Sequence, residues 1–135
     1  MYVFIIIFVL VFTLWLFFIF DVWKIVKRKK LSAWKANHLI QQYNIIKNSA
    51  DNTKEQIIDY DKLYHKILKD LGYIWNFWDI LKLQPKEIPD IDKIWELHKL
   101  RNKLVHDFDL LEETVLRQKA LEYRREIKNI LRIIT

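Results

Sequence analysis

The 135-residue sequence contains no cysteine, one glycine and only two prolines. Without cysteine there is no disulfide, no thiolate metal site and no cysteine nucleophile. With so few breakers, long uninterrupted helices are expected, and no strand pattern, repeat or low-complexity tract argues otherwise. The expected fold class is therefore all-α. A broad basic surface is missing too. The formal net charge is +6, but residues 21–35 carry Lys24, Lys27, Arg28, Lys29, Lys30 and Lys35 against Asp21 alone. That local net of +5 leaves only +1 for residues 36–135, whereas a general nucleic-acid binder displays an extended basic face.

What the chain has in excess is apolar sequence at its start. Tyr2–Phe20 is 19 residues without a charge. As a helix it would extend roughly 28 Å, a match for the hydrocarbon core of a bilayer. No Lys or Arg precedes the run and no small-residue cleavage site follows it, so it reads as a retained anchor and not as a signal peptide. The basic flank then sets the orientation, with Met1 outside and the remaining chain cytoplasmic. Lys24, Lys27, Arg28, Lys29 and Lys30 become candidates for contact with anionic head groups at the membrane surface. The expected organisation is a transmembrane anchor over residues 1–23, a basic juxtamembrane segment over 24–35 and a helical domain over 36–135.

Within that domain the periodicity predicts an antiparallel bundle of about four helices. Ser32–Lys47 is weakly patterned, with Trp34, His38 and Ile45 on one side and Leu39, Tyr43 and Ile46 on others. Thr53–Leu71 is cleaner, carrying Ile57, Tyr60, Tyr64, Ile67, Leu68 and Leu71 in one stripe before Gly72 ends it. Tyr73–Leu83 concentrates aromatic and aliphatic residues and reads as a core plug or a short helix. Pro85 and Pro89 bracket a linker, and Asp90 is placed to cap a helix reaching about Asp107. After a turn at Phe108–Leu111, Glu112–Ile134 aligns Leu116, Ala120, Tyr123, Ile127, Ile130, Leu131 and Ile134. Its other side carries Arg117, Arg124, Arg125 and Arg132, interleaved with acids as on a solvated face.

The helix before the last turn holds the only concentrated chemistry: Leu97-His98-Lys99-Leu100-Arg101-Asn102-Lys103-Leu104-Val105-His106-Asp107. Its apolar residues fall on two arcs, one with Leu97, Leu100 and Leu104, the other with Ile91, Ile94, Trp95 and Val105 beside the polar residues. Two apolar arcs suggest burial twice, once in the bundle and once in a subunit interface or cleft. RNA carries its own nucleophile, the 2′-hydroxyl. Cleavage then needs proton transfer, which suits histidine, and a permanent bidentate cation for the phosphorane, which suits arginine. Arg101 and His106 supply these types, Asn102 stands one turn before His106, and His98 one turn earlier is a possible supporting residue. No metal or other cofactor is needed; a metal reading through His98, His106, Asp107 and Asp109 lacks a recognised spacing. In one unbroken helix, however, Arg101 and His106 are about 140° and roughly 7.5 Å apart. Either the helix unwinds near His106 or two copies of the motif meet. Arg101 paired with a carboxylate and His106 closing the helix end is the purely structural alternative.

The run Arg101-Asn102-Lys103-Leu104-Val105-His106-Asp107-Phe108-Asp109 resembles the signature of HEPN domains, small helical bundles marked by Arg, a polar residue, three more residues and His. The resemblance spans about residues 36–135 and is strongest over about 90–131. It implies a homodimer with facing motif helices. In many such domains the site is a metal-independent endoribonuclease that leaves a 2′,3′-cyclic phosphate. Arg101 would then stabilise the phosphate, His106 transfer protons and Asn102 position them. One toxin branch, paired with a nucleotidyltransferase antitoxin, carries a modifiable Tyr two positions after the His; here that position is Phe108. The expectation is a membrane-anchored endoribonuclease of toxin–antitoxin or defence type. The alternative is a non-catalytic dimerising module that brings a nucleotide, RNA or protein partner to the membrane.

Overall fold

The computed structural model describes residues 2–26, 28–49, 52–106 and 111–135, and within its first helix the side chains of residues 6–19. Among the described residues there are six helices and no strand: α1 (Tyr2–Val26), α2 (Ala33–Asn48), α3 (Thr53–Asp70), α4 (Phe77–Lys82), α5 (Ile91–His106) and α6 (Glu113–Ile134). The fold of the described residues is all-α.

The helix ends follow from local chemistry. Asn52, Asn76 and Asp90 each accept a backbone N–H from three residues downstream, at 3.2, 2.9 and 2.9 Å, and so start α3, α4 and α5. Gly72 adopts φ +93° and closes α3. There Tyr73 N–H reaches Leu68 O at 3.1 Å and Gly72 N–H reaches Lys69 O at 2.8 Å, the paired bonds of a Schellman end.

Helix α3 is the centre of the bundle, packing against α2, α5 and α6, while α6 also meets α2 and α5. The stripe predicted for α3 is buried, as is the Leu116–Ile134 stripe of α6. A chain of rings joins the elements: Tyr43 to Tyr60 at 6.3 Å, Tyr60 to Tyr123 at 6.4 Å, and Tyr64 to Phe77 at 6.0 Å. Each fully buried side chain of this kind contributes about 1.5–3 kcal/mol. Helix α4 adds Phe77, Ile80 and Leu81 to the same core, so a short helix joins α2, α3, α5 and α6 in the bundle. On α2 the buried face is Ala36, Leu39 and Tyr43. Trp34 is 77% exposed and stacks on His38, so the large aromatic does not mark the inner side.

Among the described residues no helix is long and apolar enough to cross a membrane. This overturns the transmembrane anchor expected over residues 1–23, and with it the single-pass placement with Met1 outside and a cytoplasmic domain. Composition alone suggested a span. The side chains of Lys24 and Lys27 lie outside the described residues, and Arg28, Lys29 and Lys30 are exposed. Lys29 is engaged by the bundle itself. Its backbone N–H donates to the buried Glu87 Oε1 at 2.7 Å, and its Nζ lies 3.6 Å from the centre of the Tyr73 ring.

Candidate functional site

Helix α5 lies against α3 and α6 with Ile94, Leu97, His98 and Leu104 buried. Val105 and His106 are exposed, while Arg101 and Asn102 are half-buried between these two faces. The motif therefore occupies an edge of the helix, with one flank in the core and the other open.

The core flank is organised by a residue the motif does not contain. Asp61 sits in the buried stripe of α3 at 4% exposure. Its Oδ1 accepts the Tyr123 hydroxyl at 2.6 Å and lies 2.8 Å from His98 Nδ1; its Oδ2 is 3.5 Å from Arg101 Nε. Arg101 Nη1 donates to Asn102 Oδ1 at 3.0 Å, and Asn102 Nδ2 faces His98 Nε2 at 3.4 Å. These bonds are consistent with one direction of donation throughout. Asn102 Oδ1 receives the guanidinium, so its amide group is a donor toward His98 Nε2, which must accept. Nδ1 then carries the hydrogen and donates to the Asp61 carboxylate. Arg101 Nε is buried and close to Asp61 but lacks hydrogen-bond geometry, so that contact is an ion pair only. Burial, together with the adjacent Asp61 charge and the bond to it, holds the Tyr123 phenol well above its usual pKa and keeps it a donor.

The predicted residues separate into two groups. Arg101, Asn102 and His98 come together through Asp61. His106 does not join them: α5 stays helical through His106, and among the described residues its side chain makes no hydrogen bond. His98 is buried against Phe77, ring centres 4.6 Å apart, and its remaining nitrogen faces Asn102, so it is placed to position Arg101 and Asn102, not to meet a substrate. Asp107, Phe108 and Asp109, invoked for metal binding and for the modifiable position, lie outside the described residues. Sequence reasoning missed Asp61 and read Tyr123 only as part of the α6 stripe. The available signal was a carboxylate in an apolar stripe, four residues after Ile57 and three before Tyr64.

Chemically, the arrangement offers a guanidinium steadied from behind, 26% exposed at its side chain, and an imidazole open to solvent farther along the same helix. No protein-family model matches the chain, and no curated protein and no solved structure is similar to it.

Proposed function

We propose that α5 supplies half of a composite site at which two copies of this chain cleave RNA without a metal. Arg101 of one copy holds the phosphate, and His106 of the other transfers protons to and from the reacting oxygens. The observation that carries this reading is the support of Arg101 by Asp61 and Asn102 on a partly open helix edge that also bears His106. The Arg-Asn-x-x-x-His resemblance to HEPN domains supports it, and the distance between the two side chains along one helix calls for a second copy.

The test is cleavage of single-stranded RNA by the purified full chain in EDTA. His106→Ala is expected to lower the rate by about 10²–10⁴-fold, the usual contribution of a proton-transfer group. Arg101→Ala is expected to do so as well. Mixing the two inactive variants should restore about a quarter of wild-type activity, because half of randomly paired dimers hold one intact site of two. No recovery on mixing would place the site within one chain. Absence of cleavage by wild-type protein would remove the enzymatic reading.

A second reading is favoured by the same carboxylate. Asp61 already neutralises Arg101, and residues 36–135 carry a net charge of only +1. In that case the α5 edge is an ordered polar interface of a dimerising module, and Arg101→Ala weakens association with no activity to lose.

A further inference from the structure

A second concave site lies away from the motif, between the start of α3 and the first half of α6, and shares no residue with it. Its cavity measures about 400 Å³, within the range of small-ligand pockets. Tyr60 forms part of the lining, Ala120 and Leu121 give an apolar wall, and Lys47, Arg117 and Arg124 supply three cations. Leu121 is exposed although large and apolar.

The charges are set for an anion. Arg124 Nε donates to the Tyr43 hydroxyl at 3.2 Å, which fixes the base of its guanidinium, and it has no carboxylate partner among the described residues. The same holds of Lys47 in the last turn of α2. Glu113 is the carboxylate at the rim, where it accepts from Thr53 Oγ1 at 2.6 Å and from Arg117 Nε at 3.1 Å. Against three cations, Glu113 leaves two net positive charges around the cavity. Tyr60 is 1% exposed, and its hydroxyl has no hydrogen-bond partner among the described residues. Burial, and then the neighbouring Tyr43, push that phenol up to about 12, so it stays protonated and adds no negative charge.

We propose that this α3–α6 groove binds a small organic phosphate, a single phosphoryl group carried on an apolar or ring-shaped body. One phosphoryl group brings about −1.5 to −2 charges at neutral pH, which balances the two positive charges of the groove. A diphosphate would exceed them. The Ala120–Leu121 wall accommodates the body, which inorganic phosphate lacks.

Isothermal titration of the full chain with phenyl phosphate tests the assignment, with phenol and inorganic phosphate run alongside. Phenyl phosphate is expected to bind saturably and more tightly than either control. Lys47→Gln and Arg117→Gln lie at exposed positions that the fold does not need, and each should weaken binding by about tenfold. His106→Ala should leave it unchanged, so the result does not depend on RNA cleavage. No saturable binding, equal binding of phenol, or affinity untouched in the Lys47→Gln/Arg117→Gln double variant would overturn the proposal. Loss of binding in His106→Ala would overturn it too, by moving the ligand to α5. Inorganic phosphate binding as tightly as phenyl phosphate would remove the role of the apolar wall.

Discussion

Replacing Asp61 by asparagine isolates the charge that organises the α5 edge. The amide oxygen can still accept from the Tyr123 hydroxyl and from His98 Nδ1–H, which now meet at 2.6 and 2.8 Å. A bond to a charged acceptor contributes about 1.5–3 kcal/mol and a neutral one about 0.5–1.5, so each of the two loses roughly 1 kcal/mol. The amide nitrogen takes the place of Oδ2, 3.5 Å from Arg101 Nε, and sets donor against donor. Leaving that partly buried guanidinium without its anion adds about 1 kcal/mol, a discounted share of the cost of breaking a fully buried pair. The expected total is about 3 kcal/mol, or roughly 10 °C in melting temperature for a chain of this size. Thermal unfolding followed by circular dichroism measures it. A double-mutant cycle with Arg101→Met should return a coupling of about 1 kcal/mol between the two positions. If Asp61→Asn melts within about 2 °C of wild type, the carboxylate is not what holds Arg101 in place.

Three further substitutions probe the fold. Glu126 is buried, with Oε2 unpartnered among the described residues and Oε1 accepting only from Asn129 at 3.4 Å. Burial first, and then the Asp90 charge, raise its pKa above the ordinary 4.5. The folded state thus holds this proton more tightly than the unfolded chain, so the stability it gives is present at low pH. That stability is lost as pH rises from 4.5 through the raised folded value. Glu126→Gln should therefore stabilise the protein at neutral pH by about 1 kcal/mol, with the gain shrinking in urea titrations toward pH 4. Tyr64→Phe removes a buried hydroxyl that has no partner among the described residues, and should leave the urea midpoint unchanged or raise it, by up to about 1 kcal/mol. Gly72→Ala should cost about 1–2 kcal/mol at unchanged denaturant slope. No atom lies within 4 Å of the added methyl, so the cost comes from the φ of +93° alone.

The bundle was legible because its signals are local and repeated. A stripe at three- and four-residue steps with Gly72 after it specifies α3, and Asp90 marks the start of α5, without knowledge of their neighbours. Helix α2 was harder to read, because its apolar residues surround the helix and only packing selects Leu39 and Tyr43 over Trp34 and Ile45. The expected membrane span shows the limit of composition.

The site was legible only where it is contiguous in sequence. Arg101, Asn102 and His106 announce themselves within six residues, but the group that fixes two of them comes from α3, 40 positions before Arg101, and its second donor from α6. A carboxylate in the middle of an apolar stripe is still a readable anomaly, because an ionised group is buried only where partners satisfy it. Asp61 has three: a phenol, an imidazole and a guanidinium, each from a side chain on α5 or α6. The same count bears on function. If Asp61 served only the core, Tyr123 and His98 would satisfy it without ordering a half-exposed arginine. Its second oxygen instead faces Arg101, whose fork reaches on to Asn102 at the open edge of α5. Removing the Tyr123 hydroxyl by Tyr123→Phe should therefore cost about 1–3 kcal/mol of stability yet leave Arg101 paired. RNA cleavage, if the α5 edge performs it, would survive that change and fail in Asp61→Asn. Equal loss of cleavage in both variants, each shown to be folded, would mean that the network acts only as core and does not position the arginine.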